Sequence, residues 1–177
     1  MTAQLTRIKG TAAQAIIVWG TNPGPAVIAR NRAQLRIATP LYMSSGVASK
    51  KFIELAGPDS VAGILLPAGR LLVEGQLPGS HPQKKILSGY ITEYEKRFAQ
   101  PVSTFGGHAW DAVMVVAQAI RNGASAEPAA IRDALEKIRG FYGTAGEFNF
   151  SPEDHSGLTE DAFAMIRIVK GDWEMLP

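Results

Sequence analysis

Residues 15–25 carry the sequence AIIVWGTNPGP, an apolar run that ends in glycine, asparagine and proline. The residues from Ala15 to Trp19 do not alternate with polar residues, so the run predicts a strand covered on both faces, as in the parallel sheets of α/β proteins. Pro25 suits the first turn of a following helix. This order places residues 20–24 at the carboxyl edge of a sheet, where open α/β folds bind ligands. The loop is therefore a candidate ligand site, and a plain strand-to-helix connection is the alternative.

The composition is that of a globular protein. The chain has 177 residues, of which 46% are hydrophobic and 19% charged, enough for one core or two small ones. Its net charge is +2 without a basic cluster, so we expect no nucleic-acid partner. The absence of cysteine excludes disulfides, thiolate chemistry and Cys-based zinc sites. No apolar run approaches the ~20 residues of a membrane span, and the N-terminus lacks the apolar region of a signal peptide. We expect no membrane insertion.

The first 66 residues predict a β-α-β-α-β unit. The chain opens on an amphipathic helix that ends near Gly10, and the lack of a strand before this helix indicates missing upstream residues. A strand is expected at Leu41–Met43, a helix after Ser49, and a third strand from Val61 to Leu66. The short connections between these elements predict one parallel sheet with right-handed crossovers.

The chain changes character after residue 66. Residues 67–82 have glycine and proline at close intervals and no period, which is typical of a crossover or hinge. Three amphipathic helices follow, the second from about His108 to Gly123 with Val113 on its inner face. Only residues 147–150 and 163–169 predict strands before a turn and a last strand at 173–175. The helices outnumber the strands that could cover them, so we expect self-association, as a dimer.

Five stretches, taken in order, resemble the type I periplasmic solute-binding proteins of the branched-chain amino-acid ABC-transporter type. They are TAQLTRIKGTAAQAIIVWG, PLYMSSGVASKKFIELAGPDSVAGILL, FGGHAWDAVMVVAQAI, EPAAIRDALEKIRG and FNFSPEDHSGL. The resemblance covers nearly the whole chain. It implies an α/β fold of two Rossmann-like lobes joined by three crossing segments, of which this chain is similar to the second half only.

The resemblance also implies a domain organisation and a location. Residues 1–66 are expected in the C-terminal lobe, 67–82 in a crossing, 83–162 in the helical part of the N-terminal lobe, and 163–177 in a return crossing with the terminal strands. The family binds a small molecule between its lobes and delivers it to an ABC permease. The parent protein is therefore expected in the periplasm, with no cofactor, no metal and no catalytic residue. A ligand-sensing domain of a receptor or regulator is the alternative, because it shares the fold.

The site residues follow from the same resemblance. The family's aromatic residue after the glycine-containing loop is replaced here by Asn22, beside Thr21. Its acidic residue, which pairs with a ligand ammonium, is replaced by Ser45, between Ser44 and Gly46. Phe105 matches an aromatic residue that lines the side-chain pocket, with a core phenylalanine as the alternative. Asn22 and Ser45 are equally compatible with plain turn roles.

These replacements bear on the ligand. A buried ammonium needs a charged partner, and Ser45 offers only a hydroxyl. The sequence therefore favours a small carboxylate without an α-amino group, such as an aromatic acid, over leucine or valine. Glu74 lies in the crossing and is a candidate for rescuing amino-acid binding, while Trp19 and Trp110 are expected in the core.

An enzyme is the weakest interpretation. His108 and Asp111 are three residues apart and would share a helical face, but no nucleophile elbow, phosphate loop or H-E-x-x-H motif accompanies them. Gly20 to Gly24 do not form a G-x-G-x-x-G motif. The segment Asp154–Gly157 predicts a polar turn.

Overall fold

The computed structural model describes residues 1–177 and divides into two compact units. The first unit comprises residues 1–68 and 164–177, and the second comprises residues 69–163. The α-helices are α1 (Thr2–Lys9), α2 (Gly24–Gln34), α3 (Lys50–Ala56), α4 (Pro58–Val61), α5 (Lys84–Phe98), α6 (Thr104–Gly123) and α7 (Pro128–Leu135). The strands are β1 (Ile16–Val18), β2 (Leu41–Met43), β3 (Leu65–Gly69), β4 (Phe141–Tyr142), β5 (Glu147–Phe148), β6 (Phe163–Val169) and β7 (Asp172–Met175). Short 3-10 helices cover Ser45–Val47, Arg70–Gln76 and Glu160–Ala162.

A mostly parallel sheet confirms the predicted α/β class. Its strand order is β1-β2-β3-β6-β7. Strands β1, β2 and β3 pair in parallel, with Ile16 opposite Leu41 and Val18 opposite Met43, whereas β6 and β7 are antiparallel. The last hairpin turns through Lys170 and Gly171, both with positive φ (51° and 75°), the conformation that matches the twist of a two-residue hairpin loop.

Strand β1 lies at the edge of this sheet, and the exposure of one of its faces shows that the prediction of cover on both faces is wrong. Ile16 is buried, but Ile17 is 74% exposed and Trp19, just after the strand, is 83% exposed. Strand β2 is its only neighbour in the sheet. An apolar run shows that the residues are hydrophobic but not which faces of the strand the fold covers, and the expected burial of Trp19 is wrong as well.

The third strand begins later than predicted. Val61 ends helix α4, and β3 runs from Leu65 into the segment that was expected to be an irregular crossing. Val61, Ile64 and Leu66 are nevertheless fully buried. The apolar run at residues 61–66 therefore lies in the core, but it contains the end of α4 and the start of β3 rather than one strand.

The second unit is built around α6. Its core contains Val115 and Ala119 of α6, packed with residues of α7, β5 and their connections, namely Ala134, Ile138, Ala145 and Phe148. Val113 was predicted inside but is 68% exposed, because it lies on the helix face opposite Val115. No helix has both the length and the apolar character needed to cross a membrane.

Candidate ligand-binding site

The loops after β1 and β2 meet at one edge of the sheet of the first unit. Ser44 follows β2 directly and is buried. Its hydroxyl donates to the Gly20 carbonyl oxygen at 2.8 Å and accepts from the Gly20 amide at 3.3 Å. The Ser44 amide also donates to the Val18 carbonyl at 3.0 Å. Ser44 therefore holds the two loops together, and its hydroxyl is already engaged.

Gly46 lets the two loops approach closely. A Cβ atom at this position would lie 2.9 Å from the Gly20 carbonyl oxygen and 3.0 Å from the Thr21 methyl group. Real Cβ atoms very rarely come this close to other atoms, and the nearest atom here belongs to the backbone. A side chain at position 46 would therefore push the loops apart.

Three predicted site residues in these loops have polar atoms that form no hydrogen bond. Thr21 is exposed and Ser45 is half-buried, and neither hydroxyl has a partner within the chain. Asn22 is half-buried, and its side-chain oxygen is buried without a hydrogen-bond partner. A buried acceptor without a donor is uncommon, because it has lost its water without compensation. The two hydroxyls are side-chain groups of the loops that can contact a ligand, and the Asn22 oxygen is an acceptor that lacks a donor.

Phe105 belongs to the second unit. It lies in the first turn of α6 and is 52% exposed, so the alternative of a core phenylalanine is wrong. The helix start is set by Ser103, whose hydroxyl accepts from the Gly106 amide at 3.3 Å. This is a standard N-cap interaction, and it explains why α6 begins before the predicted His108.

The Glu74 carboxylate is engaged inside the second unit. It lies 2.8 Å from the Lys84 ammonium and accepts a hydrogen bond from the Ser88 hydroxyl. The Lys84 and Ser88 hydrogen bonds together hold the pKa of Glu74 below its ordinary value. Glu74 is therefore committed to an internal ion pair, and pairing with a ligand ammonium would require this ion pair to break.

Asp111 has a structural role rather than the imagined role of a partner for His108. The carboxylate is buried and accepts hydrogen bonds from the Thr144 amide (2.7 Å), the Thr144 hydroxyl (3.0 Å) and the Ala145 amide (2.8 Å). Burial raises its pKa, although these hydrogen bonds oppose the rise. Because its oxygens bind the turn between β4 and β5, Asp111 anchors that turn to α6. His108 is exposed.

Asp154 and His155 have partners within the chain. Asp154 accepts hydrogen bonds from the amides of Ser156 and Gly157, as expected for the predicted polar turn. The ring of His155 lies 3.2 Å from the Glu136 carboxylate at an exposed position. No group of three or more histidine, aspartate or glutamate side chains is placed to hold a metal ion.

Sequence and structure comparisons place the chain in a family. The model of the family described as periplasmic binding protein matches residues 1–172. The chain therefore belongs to the periplasmic binding protein family, whose members bind ligands. No match was found among curated protein sequences.

Several solved structures have the same fold. An extracellular ligand-binding receptor from Rhodopseudomonas palustris has 24% identity and a TM-score of 0.90, over 99% of this chain and 51% of that one. A leucine-binding protein from Thermotoga maritima has 20% identity and a TM-score of 0.77, over 99% and 47%. The branched-chain amino-acid transporter substrate-binding protein of Streptococcus pneumoniae, solved with isoleucine, has 21% identity and a TM-score of 0.77, over 98% and 47%. The chain thus spans about half the length of these relatives.

Proposed function

We propose that this chain is part of an extracytoplasmic solute-binding component of an ABC transporter, which captures a small carboxylate and delivers it to a membrane permease. The observation that carries the proposal is the pair of joined loops after β1 and β2, with unengaged polar atoms on Thr21, Asn22 and Ser45. Open α/β sheets bind ligands at this edge. Family membership supports a binding role rather than catalysis.

The loops favour a ligand without an α-ammonium group. The site residues of the first unit offer hydroxyl and amide groups but no carboxylate, and an unpaired ammonium in a closed site costs several kcal/mol. The hydroxyls can donate to a ligand carboxylate, whereas the Asn22 oxygen only accepts and suits a ligand donor such as a phenolic hydroxyl. The Glu74 carboxylate is already paired with Lys84. We infer that an aromatic acid is preferred over an aliphatic amino acid.

The exposed face of α6 supports the expected self-association. Phe105, Val113 and Val116 lie on this face at helical spacing and are exposed. Exposed apolar faces of this kind generally mark an interface. We also infer that the two compact units correspond to parts of the two lobes of a longer binding protein.

The proposal is tested by calorimetry on the natural full-length protein with leucine, isoleucine, valine, benzoate and 4-hydroxybenzoate. We expect at least one of the aromatic acids to bind with a micromolar or lower Kd, and the aliphatic amino acids to bind at least tenfold more weakly. Tight binding of the amino acids without any binding of the acids would contradict the ligand class. Binding of none of the five compounds would contradict the proposed carboxylate specificity altogether.

A ligand-sensing domain is the second candidate, favoured by the receptor description of the structurally similar Rhodopseudomonas palustris protein. The genes next to the coding sequence distinguish the two. Permease and ATPase genes favour transport, and an adjoining regulator gene favours sensing.

A further inference from the structure

The second unit contains an open groove between α5, α6 and β4, which we call the aromatic groove. Its volume is about 650 Å³, within the range of sites for small organic molecules. Residues of α5 line it together with Trp110 of α6 and Tyr142 of β4. It lies in a different unit from the loops after β1 and β2.

Aromatic rings that contact one another line the groove. The centroids of the Tyr90 and Tyr94 rings are 5.6 Å apart, and those of Tyr94 and Phe98 are 4.8 Å apart. The Trp110 ring packs edge-on against Tyr90 at 5.8 Å. These rings line the groove at the separations that aromatic pairs prefer, so a further aromatic ring is an apolar body that suits it.

Gly89 is one of the residues that line the aromatic groove. This residue lies in the middle of the 15-residue helix α5, where glycine costs about 1 kcal/mol relative to alanine. A Cβ atom at Gly89 would have no atom within 4 Å. Steric crowding therefore does not explain the glycine, and the missing side chain leaves space beside Tyr90.

Two groups of opposite charge line the same face of α5. Glu93 and Arg97 are one helical turn apart, a spacing that often produces an ion pair. Neither residue takes part in any of the ion pairs of the chain. The Arg97 guanidinium lies 5.5 Å from the centroid of the Phe98 ring instead. The groove thus presents one unpaired carboxylate and two unpaired cations, the Arg97 guanidinium and the Lys85 ammonium, beside its aromatic rings.

We infer that the aromatic groove is a second ligand site, which binds a zwitterionic aromatic amino acid. The ligand ring packs in the space at Gly89, beside the contacting rings of Tyr90 and Trp110. The ligand ammonium pairs with Glu93, and the ligand carboxylate pairs with Arg97, whose planar guanidinium can form two parallel hydrogen bonds to a carboxylate. The opposite charges select a ligand different from the one proposed for the first unit.

The three tryptophans allow the site to be tested by NMR. Trp110 lines the aromatic groove, Trp19 adjoins the loop after β1, and Trp173 is buried in the first unit. The experiment titrates the full chain, labelled with ¹⁵N, with L-phenylalanine and follows the three indole N–H signals, which are assigned with Trp→Phe variants. We expect a saturable shift of the Trp110 signal at millimolar concentration and constant Trp19 and Trp173 signals. A Trp110 signal that does not move, or a shift confined to Trp19, would overturn the inference.

Two glycine variants separate groove binding from general effects. Gly89→Leu fills the groove and is expected to abolish the Trp110 shift, whereas Gly79→Leu, at a position that does not line the groove and where a Cβ atom also meets nothing within 4 Å, keeps the shift. Equal shifts in both variants would overturn the inference. Circular dichroism verifies that both variants keep the helical content of the parent chain.

The charge pairing has its own test, which does not depend on filling the groove. We expect 3-phenylpropionate, which lacks the ammonium, and phenethylamine, which lacks the carboxylate, to bind at least tenfold more weakly than L-phenylalanine. Glu93→Gln should weaken L-phenylalanine but not 3-phenylpropionate. Equal affinities for the three compounds would overturn the zwitterion assignment.

Discussion

Each unit of the molecule contains a buried polar side chain that ties two chain segments together, and the two differ in what they leave free. Ser44 joins the loops after β1 and β2 through two hydrogen bonds to Gly20. Asp111 joins α6 to the turn between β4 and β5 through three hydrogen bonds. Beside Ser44, the hydroxyls of Thr21 and Ser45 remain unengaged, whereas both oxygens of Asp111 are used.

This difference distinguishes the loops joined by Ser44, which are a candidate ligand site, from the junction at Asp111, which has a structural role. The two hydrogen bonds of the uncharged Ser44 hydroxyl fix the backbone of the two loops and leave nearby polar groups available to a ligand. A buried carboxylate requires compensation by donors from the chain itself, so the Asp111 junction has no polar capacity left for a ligand. The identity of a polar residue therefore says less about its role than the number of partners it already has.

The largest effect is expected at Asp111. Asp111→Ala removes an acceptor from three buried donors, and hydrogen bonds to charged groups contribute about 1.5–3 kcal/mol each. We expect the free energy of unfolding of the second unit, measured with urea, to fall by about 3 kcal/mol or more. The control is Asp133→Ala, which removes an exposed carboxylate paired with Arg132 and should change stability by less than about 1 kcal/mol. Equal effects would contradict the anchoring role.

The pH dependence checks the same group. Burial raises the pKa of Asp111 above its ordinary value, so the folded chain holds this proton more tightly than the unfolded chain. Its contribution to the free energy of unfolding must then fall as pH rises from the ordinary to the raised pKa, and stay constant above that interval. The difference in unfolding free energy between the parent chain and Asp111→Asn should follow this course. A difference that increases with pH would contradict the raised pKa.

The next effect is expected where the loops of the first unit touch. Gly46→Ala places a Cβ atom 2.9 Å from the Gly20 carbonyl oxygen, and such overpacking typically costs about 1–3 kcal/mol. Thermal unfolding should register this loss. The matched control is Gly24→Ala, where a Cβ atom would meet nothing within 4 Å. If Gly24→Ala destabilises the chain as much as Gly46→Ala, the close approach of the loops is not the cause.

A smaller loss of stability is expected when the Ser44 hydroxyl is removed. Ser44→Ala removes the hydroxyl that bonds to Gly20 in both directions and should cost about 1–2 kcal/mol of unfolding free energy. Ser45→Ala removes a hydroxyl without a partner and should change stability by no more than about 0.5 kcal/mol. Denaturant titration of the two variants compares neighbouring serines directly, and the reverse order would exchange their assigned roles.

The smallest effect is expected at the half-buried ion pair of the second unit. Hydrogen bonds from Lys84 and Ser88 lower the pKa of Glu74, so its stabilisation is present above the ordinary glutamate pKa and is lost as pH falls through the lowered value. We expect Glu74→Gln to reduce stability at neutral pH by about 1 kcal/mol or less. Its deficit relative to the parent chain should disappear under acid conditions, as followed by chemical unfolding at several pH values. A deficit that grows on acidification would be contrary to this linkage.

The sequence predicted the bounds of strands better than the burial of their residues. Strands β2 and β6 have the predicted bounds, because short apolar runs between turn residues are local signals. The exposure of Trp19 was missed, since the cover over each face of β1 depends on the packing of the whole fold. Strand β4 was not predicted at all, because two residues carry no periodicity.

The candidate site was predictable only in part. The loop after β1 could be located from the strand and the glycine-containing segment that follows it. The hydrogen bonds of Ser44, Asp111 and Glu74 could not be predicted, because their partners lie between 10 and 34 residues away along the chain. Sequence spacing suggested His108 as the partner of Asp111, whereas the folded chain supplies Thr144 and Ala145.

The central claim is that the free polar groups of the two loops bind the ligand. The measurement that tests it most directly is calorimetry of benzoate and 4-hydroxybenzoate binding to the natural full-length protein and to its Asn22→Ala, Ser45→Ala and Ser80→Ala variants, the last being an exposed control. We predict that Asn22→Ala and Ser45→Ala each weaken binding of the preferred acid about tenfold, equivalent to about 1.4 kcal/mol, and that Ser80→Ala has no effect. Unchanged affinity in both loop variants would contradict the account.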